Sequence, residues 1–136
     1  MILANLIDAI HPTAILGSAA PETPVESLHY QSRDVVPGGV FFAIQGFAAD
    51  GHDYIDDACQ RGAAAVVAEK PVAPNVPVLQ VTNSRVALAH AAAAYYGHPS
   101  RDLTVIGLTG TNGKTTVSYL IEAMLSQAGL SVGVIG

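Results

Sequence analysis

The apolar positions near the amino terminus follow a helical spacing. Leu3, Leu6, Ile7 and Ile10 recur three and four residues apart, so they share one face of a short helix. Pro12 stands just beyond the last of them, where a helix ends readily. We therefore predict a helix in this segment, with its apolar face turned to a core.

Short apolar runs between turn residues predict strands in the next part of the chain. Residues 17–26 contain two prolines and are predicted to form a loop, and a Pro37-Gly38-Gly39 turn precedes the second strand. The predicted strands are Leu28–Tyr30, Val40–Ile44, Ala63–Ala68 and Val76–Val81.

Two further helices are indicated by capping residues. Asp53 is placed to cap a helix that runs to about Arg61 and ends at Gly62. Asn83 is placed to cap a long alanine-rich helix that Gly97 ends.

The pattern changes after a polar link at residues 98–102. An apolar strand at Leu103–Leu108, a glycine-rich turn, an amphipathic helix at Lys114–Ala128 and a strand at Ser131–Ile135 form one βαβ unit. We expect an α/β protein: a small first domain with a mixed sheet at residues 1–99, then the start of a parallel-sheet domain at 100–136. One such unit leaves its strands uncovered, so we expect a fragment that can self-associate through the edge strand Val132–Ile135.

Composition and charge narrow the functional classes. Half of the residues are apolar, but no run approaches the roughly 20 needed to cross a bilayer. Residues 1–10 lack the positive region and cleavage site of a signal peptide. The net charge is −5 with only six Lys and Arg, which leaves no basic face for nucleic acid. We expect a cytoplasmic protein without nucleic-acid or membrane partners.

The residues that could hold a metal are better explained otherwise. The five histidines lack ligand spacing, and Cys59 lies on an apolar helical stripe, where packing is its expected role. A solvated helix start explains the acidic residues between Asp50 and Asp57. We therefore expect no protein zinc site.

The turn after Leu108 carries the features of a phosphate-binding loop. Gly110 and Gly113 allow the backbone to approach phosphate oxygens, and the helix beginning at Lys114 points its free N–H groups at the anion. Lys114 would neutralise charge on the β- and γ-phosphates, as the candidate catalytic residue, and Thr115 would offer a hydroxyl to Mg²⁺. Leu108 stands where the strict pattern has its first glycine, so the loop is a shortened variant. The predicted ATP-binding residues are Gly110, Thr111, Asn112, Gly113, Lys114, Thr115 and Thr116.

This loop, Gly-Thr-Asn-Gly-Lys-Thr-Thr, resembles that of the Mur ligases of peptidoglycan synthesis, and most closely the MurE type. A second block, residues 32–46, resembles the Ser-Arg-x-Val-x-Pro-Gly-x-x-Phe-x-Ala-x-x-Gly signature of the family's first domain. Residues 50–55 and 62–67 continue the resemblance, which spans nearly the whole chain. It implies an ATP- and Mg²⁺-dependent ligase that joins meso-diaminopimelate or L-lysine to UDP-N-acetylmuramoyl-L-alanyl-D-glutamate through an acyl phosphate.

The resemblance also implies a substrate site in the first domain. Tyr30 and Ser32 match the uridine-facing strand, and Phe47, Ala48 and Ala49 match a loop that contacts the nucleotide. A serine hydroxyl can read a uracil edge and an aromatic ring can stack on its face. Tyr30 and Phe47 could equally be ordinary aromatics of the core or surface, and Phe47 departs from the more polar residue common in the family, as does Gln31 from an acidic one.

Two other functions remain open at the level of the sequence. A fragment of the MurF type shares the first-domain pattern, although it more often has serine where Thr111 stands. A stand-alone UDP-sugar-binding module is the second alternative, and it would bind uridine nucleotides without ATP. The resemblance implies that further catalytic parts of the ligase lie beyond residue 136, so we expect no ligase activity from the isolated chain.

Overall fold

The computed structural model describes residues 1–47 and 49–135. The chain divides into two compact units, Met1–Pro99 and Ser100–Gly136.

The first unit is a mixed five-stranded sheet with three helices. Its strands lie in the order β1-β5-β4-β3-β2, with β1 antiparallel to β5 and the other neighbours parallel. The strands are β1 Ala14–Leu16, β2 Ser27–His29, β3 Gly39–Phe42, β4 Ala65–Ala68 and β5 Val78–Gln80. The helices of this unit are α1 Leu3–Ile10, α2 Ile55–Gln60 and α3 Ser84–Tyr95. The predicted α/β class with a mixed sheet is confirmed.

The central strands separate two hydrophobic clusters, because successive side chains of a strand point to opposite faces of the sheet. On one face Val40 and Phe42 of β3 pack with α1 and α3. On the other face Phe41 packs with Ile55 and Ala58 of α2. Cys59, half-buried, packs against this second cluster, as expected, and burial raises the pKa of its thiol. All four residues of β3 and of β4 are buried, which explains their continuous apolar runs.

Strand β1 was not predicted. It has three residues of alternating partial exposure and pairs Ala14 with Gln80 and Leu16 with Val78. A strand of three residues is too short to show a periodic pattern, and its exposed middle residue, Ile15, is as apolar as its neighbours.

The predicted cap at Asp53 is wrong. A short 3₁₀ helix at Gly51–Tyr54 precedes α2, and its cap is Asp50, whose side chain accepts the backbone N–H of His52. Two acidic residues three positions apart both precede an apolar helix, and the additional 3₁₀ turn moves the start of the helical segment back to the first of them. The cap predicted at Asn83 is confirmed, since its Oδ1 accepts the N–H groups of Arg85 and Val86 at 3.0 Å each.

The second unit contains the predicted helix, α4 Lys114–Gln127, and a short 3₁₀ turn lies at Pro99–Arg101 across the division between the units. The strands predicted at Leu103–Leu108 and at Ser131–Ile135 are not formed in the described residues. An extended segment becomes a strand only when its N–H and C=O groups pair with a neighbouring strand, and within residues 100–135 neither segment has such a neighbour. The apolar side chains of α4 are correspondingly exposed, including Leu120 and Met124.

Across residues 1–47 and 49–135, no helix has the length and apolar character to cross a membrane.

Candidate functional site

The carboxyl ends of the parallel strands carry the main cavity of the first unit. In open parallel sheets this edge is where ligands bind, because the loops that follow the strands converge there. Tyr30 follows β2 and Ile44 follows β3, and both border a cavity of about 620 Å³, here called the Ser32 cavity. Its lining residues are Tyr30, Gln31, Ser32, Arg33, Phe41, Ile44, Ala49, Gly51, Tyr54 and Asp57.

Three of the five predicted substrate residues meet in this cavity. Tyr30 and Ser32 lie two positions apart after β2, Ala49 comes from a separate loop, and all three line the same space. The side chain of Phe47 is fully exposed and is not part of the lining. Ala48 lies outside the described residues.

Asp57 is a lining residue that the sequence reasoning did not assign to the site. Arg61, one turn further along, donates from Nε to both carboxylate oxygens, at 3.0 and 3.1 Å. The Ser32 hydroxyl, as the main hydrogen-bond partner, and then Arg61 lower the pKa of Asp57 below its ordinary value. The four-residue spacing of Asp57 and Arg61 on a helix is a signal that could have identified this pair.

Arg33 borders the cavity and contacts its neighbour in the sequence. Its Nε lies 3.9 Å from Asp34 Oδ1, between two exposed side chains. Its carbonyl oxygen also accepts a hydrogen bond from Arg61 Nη1 at 3.5 Å. The 3₁₀ helix that carries Ser32, residues 32–34, is therefore tied to the end of α2.

The loop that contributes Ala49 is closed by its own backbone. Gly46 N–H donates to Ala49 O, and Gly51 N–H donates to Ile44 O, both at 2.9 Å. A Cβ atom on Gly51 would lie 2.6 Å from Ile44 N, so only glycine allows the two segments to approach this closely. The two ends of the loop therefore lie side by side at the cavity wall.

Asp50 lies at the end of that loop, and its carboxylate contacts two side chains. Its Oδ1 lies 2.6 Å from His52 Nδ1, and its Oδ2 accepts from Lys70 Nζ at 2.5 Å. Lys70 and then His52 hold the pKa of Asp50 well below its usual range, and the same contact raises the pKa of Lys70. The described residues contain no group of three or more acidic, His or Cys side chains arranged to hold a metal.

A smaller cavity of about 280 Å³ adjoins the first. Tyr30 and Ile44 border both cavities, and Arg85 and Leu88 of α3 complete the smaller one. Arg85 Nη2 donates to Gln45 O at 3.2 Å. A guanidinium group therefore lies beside the apolar wall that the two cavities share.

In the second unit, the glycine-rich loop precedes α4 with the backbone angles that its glycines predict. Gly113 is the residue before the helix and has a φ of 77°, and Gly110 has a φ of 150°. Within the described residues no side chain caps the helix. Lys114 Nζ folds back onto Gly110 O at 2.6 Å, so the lysine ammonium lies over the loop.

A cavity at the carboxyl ends of parallel strands, and a glycine-rich loop that opens a helix later in the chain, are features typical of α/β proteins that bind nucleotides. Comparison with known families narrows this class. The model of the Mur ligase family catalytic domain matches residues 24–96, more than half of the chain, and that of the Mur ligase middle domain matches residues 108–136. The chain belongs to the Mur ligase family.

Curated relatives of the chain are ligases of one kind. The UDP-N-acetylmuramoyl-L-alanyl-D-glutamate–2,6-diaminopimelate ligases of Halalkalibacterium halodurans and Geobacter metallireducens are 45% and 48% identical over 98% and 100% of this chain. The UDP-N-acetylmuramyl-tripeptide synthetase of a Roseiflexus species is 51% identical over 99% of the chain. The chain spans only 27%, 27% and 26% of these three relatives. The resemblance to the MurE type is confirmed at the level of these relatives.

Solved structures with the same fold include MurF enzymes. A crystal structure of MurF from Acinetobacter baumannii has a TM-score of 0.72 and 27% identity, over 90% of this chain and 27% of that one. MurF from Thermotoga maritima in complex with ADP has a TM-score of 0.59 and 34% identity, over 77% of this chain and 24% of that one. The chain is thus similar in fold to MurF enzymes and more similar in sequence to the ligases named above.

Proposed function

We propose that the chain is the amino-terminal part of an ATP-dependent ligase that adds an amino acid to UDP-N-acetylmuramoyl-L-alanyl-D-glutamate. The main observation in support of the proposal is that Tyr30, Ser32 and Ala49 line one cavity of the first unit. The relatives named for this substrate, 45–51% identical, support the same assignment. Because those relatives are named as diaminopimelate ligases or as a tripeptide synthetase, 2,6-diaminopimelate is the amino acid that we favour over L-lysine.

The Ser32 cavity has the chemistry that a uridine nucleotide requires. Its volume of about 620 Å³ is in the range of small-molecule sites. Tyr30 is 61% exposed, so its ring face is available for stacking on a base. Ser32 offers a hydroxyl that can pair with the edge of uracil. Ala49 adds a small side chain on the loop side, where a ring can lie close to the backbone.

The loop at Gly110–Thr116 fits ATP and Mg²⁺. The glycine angles and the uncapped start of α4 leave backbone N–H groups for phosphate oxygens, and Lys114 already lies over the loop. Thr115 is the residue that would offer a hydroxyl to Mg²⁺. Bound ATP would supply the phosphoryl group that activates a carboxylate, with Mg²⁺ offsetting its charge. The residues of this chain hold and orient the phosphates, and Lys114 balances their charge.

Titration calorimetry of the chain with UDP-N-acetylmuramoyl-L-alanyl-D-glutamate, with UDP and with Mg-ATP tests the proposal. We expect both uridine compounds to bind, and Ser32→Ala to weaken UDP at least about fivefold by removing one hydrogen bond. Ser18→Ala, on an exposed loop residue, is the matched control. A folded chain that binds neither uridine compound would contradict the assignment of the cavity. Uridine binding without any Mg-ATP binding would favour a stand-alone UDP-sugar-binding module.

Three further expectations accompany the proposed function. We infer that the chain alone forms no amide bond, because it spans about a quarter of its relatives. Amide formation from ATP and both substrates by the purified chain would contradict this.

We also expect the chain to self-associate at high concentration through the exposed apolar side chains of the second unit. Sedimentation velocity would detect this association. A cytoplasmic location stays a prediction, supported by the single cysteine.

A further inference from the structure

His52 has one arrangement of protons that satisfies both of its contacts. Its side chain is 5% exposed, and Nε2 lies 3.1 Å from the backbone N of Glu69, which can only donate. Nε2 is therefore unprotonated, and the ring proton lies on Nδ1, 2.6 Å from Asp50 Oδ1. The Lys70 backbone N–H is a second donor toward Nε2, at 3.4 Å.

These contacts join the loop that ends at Asp50 to the segment that follows β4. Asp50 lies at the end of the loop that borders the Ser32 cavity, and Glu69 is the first residue after β4. Ala49 and Gly51 flank Asp50 in the sequence, and both line the cavity, whereas His52 does not. The imidazole ring thus holds the wall formed by Ala49 and Gly51 from outside the cavity, and the ring does not contact the interior of the cavity.

The other groups around Asp50 cannot replace this connection. Lys70 binds the second carboxylate oxygen, but its side chain is 54% exposed, so solvent screens the pair. Because the hydrogen bonds of His52 are shielded from water, removal of its acceptor leaves a backbone N–H without a partner.

We propose that His52 is a positioning residue for the nucleotide site, holding the Ala49–Gly51 wall of the Ser32 cavity against the carboxyl end of β4. The inference rests on the proposed function, since it assigns uridine-nucleotide binding to that cavity. It adds a residue that the resemblance did not place in the site.

Two substitutions separate the two contacts of the ring. In His52→Gln the side-chain amide reaches the position of Nε2, so its oxygen accepts from Glu69 N–H. In His52→Asn the shorter amide reaches the position of Nδ1, so it serves Asp50 and leaves Glu69 without an acceptor. His90→Asn, on an exposed histidine of α3, is the matched control.

Calorimetric titration of the whole 136-residue chain with UDP is the first readout. We expect His52→Asn to bind UDP roughly tenfold more weakly and His52→Gln to stay within about threefold of the unsubstituted chain. The His90→Asn control should bind as the unsubstituted chain does. Equal affinity in all variants would overturn the proposal, as would a loss in His52→Gln as large as that in His52→Asn. If His52→Asn does not fold, a weakly binding but folded His52→Gln still overturns it.

Amide hydrogen exchange by NMR is the second readout, and it needs no ligand. The N–H groups of Gly46 and Gly51 donate across the loop, so their exchange reports its order. Faster exchange at both in His52→Asn than in His52→Gln supports the proposal, and equal exchange overturns it. If the unsubstituted chain binds no UDP, the proposed function fails, while this measurement still decides whether His52 holds the loop.

Discussion

Arg61 holds both carboxylate oxygens of Asp57, at 3.0 and 3.1 Å, and only Asp57 of the two lines the Ser32 cavity. The arginine thus balances a negative charge on the wall of a cavity whose proposed ligand is itself an anion. Exposed ion pairs of this kind add little to stability, so the value of the pair lies in the electrostatics of the cavity.

Substitution of Arg61 should therefore weaken ligand binding more than folding. In Arg61→Gln, the charge of Asp57 is left without its partner and repels the diphosphate of UDP. We expect UDP affinity to fall by roughly threefold to fivefold at low salt and by less at high salt, because salt screens exposed charges. Calorimetry at two ionic strengths measures this. Arg101→Gln removes the same charge from an exposed position in the other unit, and an equal loss there would point to net charge alone.

Removal of the Asn83 cap should destabilise the first unit. Asn83→Ala deletes the acceptor of two backbone N–H groups at the start of α3, which costs about 1 kcal/mol in the free energy of unfolding. Urea denaturation followed by circular dichroism gives the value. Asn83→Asp retains the acceptor oxygens and should stay near the unsubstituted chain. An alanine variant as stable as the aspartate variant would show that the cap contributes nothing.

Gly51 should not tolerate a side chain. A Cβ atom there would lie 2.6 and 2.7 Å from the backbone N and O of Ile44, so the two segments must separate. We expect Gly51→Ala to lower the free energy of unfolding by about 2–3 kcal/mol and to weaken UDP binding as well. Gly107→Ala is the control, since no heavy atom lies within 4 Å of its Cβ position. Equal stability of the two variants would disprove the close contact.

Because Asp50 contacts Lys70 and His52, the stability of the chain should depend on pH in the acid range. The pKa of Asp50 is lowered in the folded chain, so its stabilising effect is complete above the ordinary aspartate pKa of about 3.9. The effect is lost as the pH falls through the lower folded value. The urea midpoints of the unsubstituted chain and Asp50→Asn should therefore differ most near neutral pH and converge in acid.

The same contact raises the pKa of Lys70, so the stabilising contribution of Lys70 is complete below the ordinary lysine pKa of about 10.4 and is lost as the pH rises through the higher folded value. The urea midpoints of the unsubstituted chain and of Asp50→Asn are thus expected to converge in strong alkali as well. Asp8→Asn corrects for the loss of one carboxylate from an exposed position. A difference that is constant from neutral pH to pH 2 would contradict the role of Asp50.

The helices were predictable from the sequence because their apolar spacing and caps are local signals. Leu3, Leu6 and Ile10 are buried on one face of α1, and α4 begins at Lys114, directly after the loop glycine. The order of the strands was not predictable, since it depends on pairing between distant segments such as Ala14 and Gln80. The strands expected around α4 depend in the same way on neighbours that the described chain does not provide.

The site was predictable only as far as a resemblance could identify residues. Tyr30 and Ser32 were identified through the resemblance and meet in the cavity, whereas Asp57 lines it from a part of helix α2 that the resemblance does not cover. His52 lies within residues 50–55, which continue the resemblance, but the sequence gives no indication of its partner. Glu69 lies 17 residues away, and only the parallel pairing of β3 with β4 brings it near.

The antiparallel pairing of β1 with β5 affects the order in which the parts of the first unit can fold during synthesis. Strand β1 is synthesised before β2, β3 and β4, yet its partner is Val78–Gln80, and α1 packs on α3, which ends at Tyr95. On a ribosome, α1 therefore emerges well before α3, although β3 can cover part of it earlier. The cover of the buried side chains of α1, Leu3 and Leu6 among them, is complete only when almost the whole first unit has been translated.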